Sequence, residues 1–149
     1  MDYEGELVVV LDEECKNLAD RDEAFSKVLG YAVGNDVSSR WWQLPEQSGG
    51  QHGFAKSFDG FAPVGPVISA PQAIGGHGGV ESLMLVTRFN GEERQRVRLD
   101  DLRFDVAEQL IHLSKGTTSR AGTLIMTGTP GSVSISGIGT IRSKFIEEQ

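Results

Sequence analysis

Asp2-Tyr3-Glu4-Gly5-Glu6-Leu7-Val8-Val9-Val10-Leu11 begins with closely spaced acidic residues and ends in a continuous apolar run. A run of that kind is the pattern of a strand covered on both faces. Strand side chains alternate, so Glu4 and Glu6 project to the same side of the strand mouth. Two like charges held together repel, and burial raises the cost. A hard divalent cation between them turns the repulsion into a binding site. A strand end open to water would instead solvate both glutamates. The pair needs a third ligand to decide between these readings.

Working outward, Asp12-Glu13-Glu14 closes the strand with charge, and Asp20 or Asp22 can cap a short helix over Glu23–Leu29, with Gly30 as its stop. Tyr31–Val37 reads as a second strand that delivers Asp36 at its far end. Leu44–Gly53, rich in Pro, Gln, Ser and Gly, reads as a mobile loop. The prolines around Val64–Ile68 fit an edge strand or rigid turn, and Ile74–Gly79 reads as a glycine-rich connector. Ser82–Phe89, Asn90-Gly91 and Glu93–Leu99 predict a hairpin. Phe104–Leu113 is the best helix, capped by Asp105, with Val106, Leu110, Ile111 and Leu113 as its apolar stripe and Gly116 at its end. Leu124–Met126 is a strand running into Thr127-Gly128-Thr129-Pro130-Gly131, and Gly137–Arg142 is a last short strand. Mostly strands with two modest helices make a predominantly β, α+β fold in one domain spanning 1–149.

Composition narrows the function. A chain of 149 residues with 38% hydrophobic and 23% charged residues has an ordinary globular balance and the size of one domain. A net charge of −7 and a pI near 4.9 argue against nucleic acid or an anionic membrane as partner. The single cysteine, Cys15, excludes an intrachain disulfide and suits a reducing, intracellular compartment, cytoplasmic or mitochondrial matrix. No signal-peptide pattern or membrane-length apolar stretch occurs. The buried-looking strand begins within a few residues of Met1, which can mark a chain that has lost a preceding segment.

The chemistry-capable residues are few: Glu4, Glu6, Asp36, Lys56 with Asp59, and the Thr127–Gly131 loop. Three carboxylates from two strands suit Mg²⁺, Mn²⁺ or Ca²⁺, and no Cys/His cluster offers a zinc site. Lys56, partly buried beside such a site, would be a fixed positive charge for an anionic substrate. Thr127-Gly128-Thr129 offers backbone N–H groups and hydroxyls to a carboxylate or enolate oxygen. His112 beside the helix stripe fits a surface or packed residue better than a ligand.

Taken in order, Asp2–Leu7, Gly30-Tyr31, Asn35-Asp36-Val37-Ser38-Ser39-Arg40, Lys56-Ser57-Phe58-Asp59, Pro63-Val64-Gly65-Pro66, Asn90-Gly91-Glu92 and Thr127-Gly128-Thr129-Pro130 resemble the fumarylacetoacetate hydrolase family, C-terminal catalytic domain. The resemblance covers Asp2 to Pro130 and implies a mixed β-sandwich roll, usually a homodimer. It implies that Glu4, Glu6 and Asp36 hold a Mg²⁺, Mn²⁺ or Ca²⁺ ion. By the same resemblance Lys56 and Thr129 are catalytic candidates, and Gln43, Lys56, Gly128 and Thr129 contact substrate. The family cleaves or decarboxylates β-dicarbonyl and related keto acids, the metal chelating the dicarbonyl oxygens and stabilising the enolate.

The departures are as specific. The family's water-activating His–Glu pair lies on a segment before the metal strand, which is where this chain starts. His52, His77 and His112 match no such position. Trp41 stands where an acidic residue normally follows the arginine, and His52 where an aromatic is common. Only Gly131–Ser136 separate Pro130 from the Gly-Ile-Gly strand, a shortening expected to delete a strand or most of one. Two functional readings follow: a metal-dependent C–C hydrolase or decarboxylase, or a shortened, catalytically silent member that binds metal or a small acid or assembles with a full-length paralogue. Unrelated surface acids on a β-rich domain are the third reading, which the order of the motifs disfavours.

Overall fold

The structure, a computed structural model, describes residues 1–130. The expected strand over Gly137–Arg142 and the shortening over Gly131–Ser136 lie outside those residues. Strand β1 (Gly5–Leu11) is buried at all seven positions, as its apolar run predicts. It forms the inner pair of a four-stranded sheet with β2 (Val28–Asn35); β3 (Val64–Ser69) and β6 (Leu124–Met126) are the edges, in the order β3-β2-β1-β6. A separate hairpin, β4 (Met84–Phe89) and β5 (Glu92–Arg98), turns through Asn90 and Gly91, both at positive φ (52° and 84°). That is the backbone a two-residue hairpin turn requires, and Asn-Gly is its preferred sequence. All pairings among the described residues are antiparallel. The architecture is α+β and predominantly β, as expected.

One face of the sheet, through Leu7, Val9, Leu11, Tyr31, Val33 and Ile125, packs on Leu85, Leu99, Val106 and Leu110. Burying each of these side chains contributes about 1.5–3 kcal/mol. Helix α3 (Val106–Leu113) reaches this core through Val106, Ala107 and Leu110, and its start is fixed by a reciprocal capping box between Asp105 and Glu108. Leu113, expected in the stripe, is instead exposed at the helix end, and His112 is exposed as expected. At the mouth of β1, Tyr3 stacks on Phe89 of the hairpin, with ring centroids 5.8 Å apart.

Four further sequence expectations are corrected. Helix α1 covers Arg21–Ser26, capped by Asp20, and does not run to Leu29. Val28 pairs with Leu11 and Leu29 is exposed, so both belong to β2. Gly30 is not a helix stop but a close approach within the sheet. A Cβ there would meet the Ser69 carbonyl oxygen of β3 at 2.5 Å. The segment 44–53 is not all loop, because Pro45–Ser48 forms one helical turn, α2, with Pro at its first position. The glycine-rich connector holds a 3₁₀ turn, His77–Ser82. Gly79 is required there, since a Cβ would fall 1.7 Å from the Ile74 carbonyl oxygen. His77 points into the core: Nδ1 lies 2.8 Å from Tyr31 Oη and the ring stacks on Phe25. Among the described residues no helix is long and apolar enough to cross a membrane.

Candidate metal and acid-binding site

The antiparallel register of β1 and β2 sets Gly5 opposite Asn35 and Glu6 opposite Gly34. The pairing continues past the strand ends. Asp36 N–H donates to the Glu4 carbonyl (2.7 Å), and Asp2 and Ser38 exchange backbone bonds of 2.8 and 2.9 Å. Asn35, itself buried, accepts from Glu4 N–H through Oδ1 at 3.0 Å. Glu4 and Asp36 are thus held side by side at one end of the sheet. Glu6, one strand alternation further in, is 2% exposed. Oxygens of Glu4, Glu6 and Asp36 come within 4.8 Å of one another.

Two cations attend the cluster. Lys56 Nζ lies 2.6 Å from Glu4 Oε2 and 2.5 Å from Asp36 Oδ2. It is delivered by a 3₁₀ turn, Phe54–Lys56, anchored where Ser39 N–H donates to the carbonyl of fully buried Ala55. Arg40 reaches Glu4 Oε1 (2.8 Å) and Asp2 Oδ2 (3.0 Å) and donates to Gln43 Oε1 (2.8 Å). Four carboxylates therefore meet two cations, an excess of two negative charges when all are ionised. All the convergent donors are carboxylate oxygens, the chemistry that fits a hard divalent ion.

Glu6 registers this strain. Burial pushes its carboxyl from 4.5 to about 7, against the Gly128 N–H bond that favours the anion, and Asp36 and Glu4 push it further up. Burial pulls the Lys56 ammonium down, but its bonds to Asp36 and Glu4 outweigh that and hold it above the ordinary lysine range. Arg40 follows the same balance, its bond to Asp2 and the Glu4 charge prevailing over burial.

The Thr127–Pro130 loop approaches from β6. Thr127 donates to the Leu7 carbonyl through N–H (3.1 Å) and Oγ1 (3.2 Å), which steers Gly128, at φ 84°, over the β1 mouth. The Gly128 N–H, expected to face substrate, donates to Glu6 Oε2 at 2.9 Å. Its geometric role is to orient a carboxylate. Thr129 sits one residue on and, with Thr127, Gly128, Gln109, His112 and Arg103, lines an open cavity of about 470 Å³ beside α3. Of the sequence-named residues, the structure brings Glu4, Glu6, Asp36 and Lys56 into direct contact range, Gly128 through Glu6, and Gln43 through Arg40. Thr129 lies on the adjoining cavity. Asp59 is exposed on the turn after Lys56.

Asn35, Arg40 and Asp2 were not singled out by chemistry in the sequence. Asn35 and Arg40 flank Asp36 in one motif, but only the backbone path past β2 shows that both grip Glu4.

A strand-borne acid cluster of this kind, on this sheet, defines the class. The chain matches the fumarylacetoacetate (FAA) hydrolase C-terminal family model over residues 1–147, and it belongs to that family. Among curated relatives it is 37% identical to an oxaloacetate tautomerase of Bacillus subtilis over 146 residues, 98% of this chain and 45% of that protein. The solved fumarylacetoacetate hydrolase of Exiguobacterium antarcticum superposes with a TM-score of 0.81 at 32% identity, covering 95% of this chain and 56% of that one. A fumarylpyruvate hydrolase of Pseudomonas aeruginosa, solved in complex with Mn²⁺ and pyruvate, gives 0.76 at 33% identity, with 94% and 56% coverage. The chain thus spans about half the length of the relatives it matches.

Proposed function

We propose that Glu4, Glu6 and Asp36 hold one divalent cation, Mg²⁺, Mn²⁺ or Ca²⁺, and that the chain processes a small keto acid beside it. The observation that carries this reading is the convergence of three carboxylates within 4.8 Å at one sheet end, with an ammonium already bridging two of them. The Mn²⁺ and pyruvate bound by the Pseudomonas relative support both halves of it. When bound, such an ion supplies Lewis-acid stabilisation of negative charge on a keto oxygen.

The chain's own residues take the remaining roles. Lys56 is the positive charge at the cluster and is assigned the substrate's oxygens, with Thr129 as its catalytic partner from the adjoining loop. Gln43, its Oε1 held by Arg40, is assigned to orient the acid through its amide Nε2. Gly128 keeps Glu6 aimed at the cluster. Decarboxylation of a β-keto acid needs no attacking water: the C–C bond to the carboxylate breaks, CO₂ leaves, and the electron pair passes to the carbonyl. Hydrolysis needs a base, and His77 is held by Tyr31 and Phe25. Decarboxylation of oxaloacetate is therefore the activity we assign first, with acylpyruvate hydrolysis much weaker; general acid–base steps contribute about 10²–10⁴-fold. A homodimer is the proposed assembly, carried by Val67 and Ile68, which are exposed on edge strand β3.

The test assays both substrates with Mn²⁺ and with chelator, in the wild type and in Lys56→Ala. Chelator-sensitive oxaloacetate turnover that Lys56→Ala lowers supports the assignment. Fast hydrolysis by this chain would reveal a base not identified above. No metal-dependent turnover of either acid would favour the silent, binding-only member.

A further inference from the structure

The cavity beside α3 meets the acid cluster through two residues of its own wall. Gly128 lines it and gives its N–H to Glu6 Oε2. Met126 lines it and packs over Gly34, the position paired with Glu6: a Cβ at Gly34 would fall 2.8 Å from the Met126 methyl. Thr129, which the keto-acid reading gives to substrate, lines the same space. Gln109 ties the walls together, its Nε2 donating to the carbonyls of Phe104 (2.9 Å) and Thr127 (3.3 Å). At about 470 Å³ the cavity has the size of a small-molecule site.

Three side chains set its charge: Arg103, His112 and Asp101. Arg103 differs from most arginines of the chain. Arg21, Arg40, Arg88, Arg94, Arg96 and Arg98 each lie against a carboxylate, whereas Arg103 enters no ion pair among the described residues. Its guanidinium sits over the Phe104 ring, 5.8 Å from the centroid. A ring engages the guanidinium face and leaves the N–H donors, which lie in its plane, for a carboxylate.

We propose that Arg103 recognises a second carboxylate on the tail of the bound keto acid, with His112 beside it and the charge of Asp101 opposing it. The inference rests on the keto-acid reading above and adds a specificity-determining residue to it. The keto end of the acid stays with the cluster and Lys56, its chain passes Thr129, and the tail carboxylate ends in the cavity. In oxaloacetate the second carboxylate is the group that leaves as CO₂. A tail carboxylate is carried further from the keto carbon and stays on the molecule.

The experiment titrates the full chain, loaded with Mn²⁺, with 2-oxoglutarate and 2-oxoadipate and with the monoacids of equal carbon count, 2-oxopentanoate and 2-oxohexanoate. Calorimetry reads the affinity ratio of each diacid to its monoacid, so any general change in binding cancels. The proposal expects a ratio of about ten for at least one pair. Arg103→Gln should bring that ratio to near one, Arg103→Lys should retain part of it, and Asp101→Asn should raise it, with each fold checked by thermal melts. Monoacid binding with no diacid advantage overturns this inference alone. So does an advantage that Arg103→Gln retains or that Asp101→Asn lowers. Glutarate, which has no keto group, binding the metal-free chain through Arg103 as tightly as 2-oxoglutarate binds the loaded one would assign the cavity to a separate acid and also overturn it. Failure of all four oxo acids to bind with Mn²⁺ would overturn the keto-acid reading on which the subsite rests.

Discussion

Two regions meet at the acid cluster, and they are built in opposite ways. The end of the β1–β2 pair keeps one antiparallel register from Asp2–Ser38 through Asp36–Glu4 to the Leu7–Val33 pairing, and Leu7 and Val33 are fully buried. Segment 40–61 is a series of short turns in which Ala55 is fully buried while Trp41, Leu44, Phe54 and Phe58 are exposed. The first region places three acids with little freedom. The second supplies the lysine, arginine and glutamine that answer them. Separating the two allows the acid scaffold to stay fixed while the turn segment differs, as loops over a rigid frame generally do.

The largest effect should come from the frame. Leu7→Ala removes a side chain with no exposure from the strand that carries Glu6 and follows directly on Glu4. It should cost about 2–5 kcal/mol in denaturant unfolding. A loss under about 1 kcal/mol would show that the β1 end is less tightly packed than it looks.

Glu6 gives the next effect, and its sign is fixed by the raised carboxyl. The folded state holds a proton that the unfolded state releases from pH 4.5 upward, so the folded chain binds more protons between pH 4.5 and about 7. Stability in chelator should therefore fall as pH rises through that window, by at most about 3 kcal/mol, and level off above it. Glu6→Gln should flatten this part of the profile. A profile identical to the wild type would place Glu6 in a far more polar setting.

Lys56 links the two regions. Its ammonium and a divalent ion compete for Glu4 and Asp36, so Lys56→Met should tighten Mn²⁺ binding, by about tenfold at a partly buried pair. The same change should lower stability in chelator, since two carboxylates lose their partner. Unchanged Mn²⁺ affinity would mean that the ion and the ammonium occupy separate oxygens. The smallest effect is at Leu44, 48% exposed in the turn segment, where Ala should alter stability by no more than about 0.5 kcal/mol.

The frame was legible in the sequence because its signals are local. Strand alternation placed Glu4 with Glu6, the apolar run placed β1 in the interior, and Asn90-Gly91 and Asp105 announced their hairpin and helix. Family resemblance supplied Gln43 and Lys56 as substrate contacts, whereas the pairing of Lys56 with Glu4 and Asp36 appears only in the structure. The missed features depend on distance in the chain. Arg40 grips Glu4 across 36 positions, and Gly128 gives its amide to Glu6 across 122. Neither bond leaves a periodic trace. Val28 and Leu29 misled because they continue a helical spacing, while the deciding contact, Leu11 opposite Val28, is a pairing between strands. Gly30 resembled a helix stop for the same reason; its Ser69 neighbour lies on β3.

The central claim is that three carboxylates at the β1–β2 end form one cation site, and a calorimetric Mn²⁺ titration of the full chain at neutral pH tests it most directly. The account predicts one ion per chain in the wild type and loss of at least about a hundredfold in affinity in Asp36→Asn, with the fold retained by circular dichroism. A wild-type chain that binds no Mn²⁺, or an Asp36→Asn chain that binds it equally well, would contradict it.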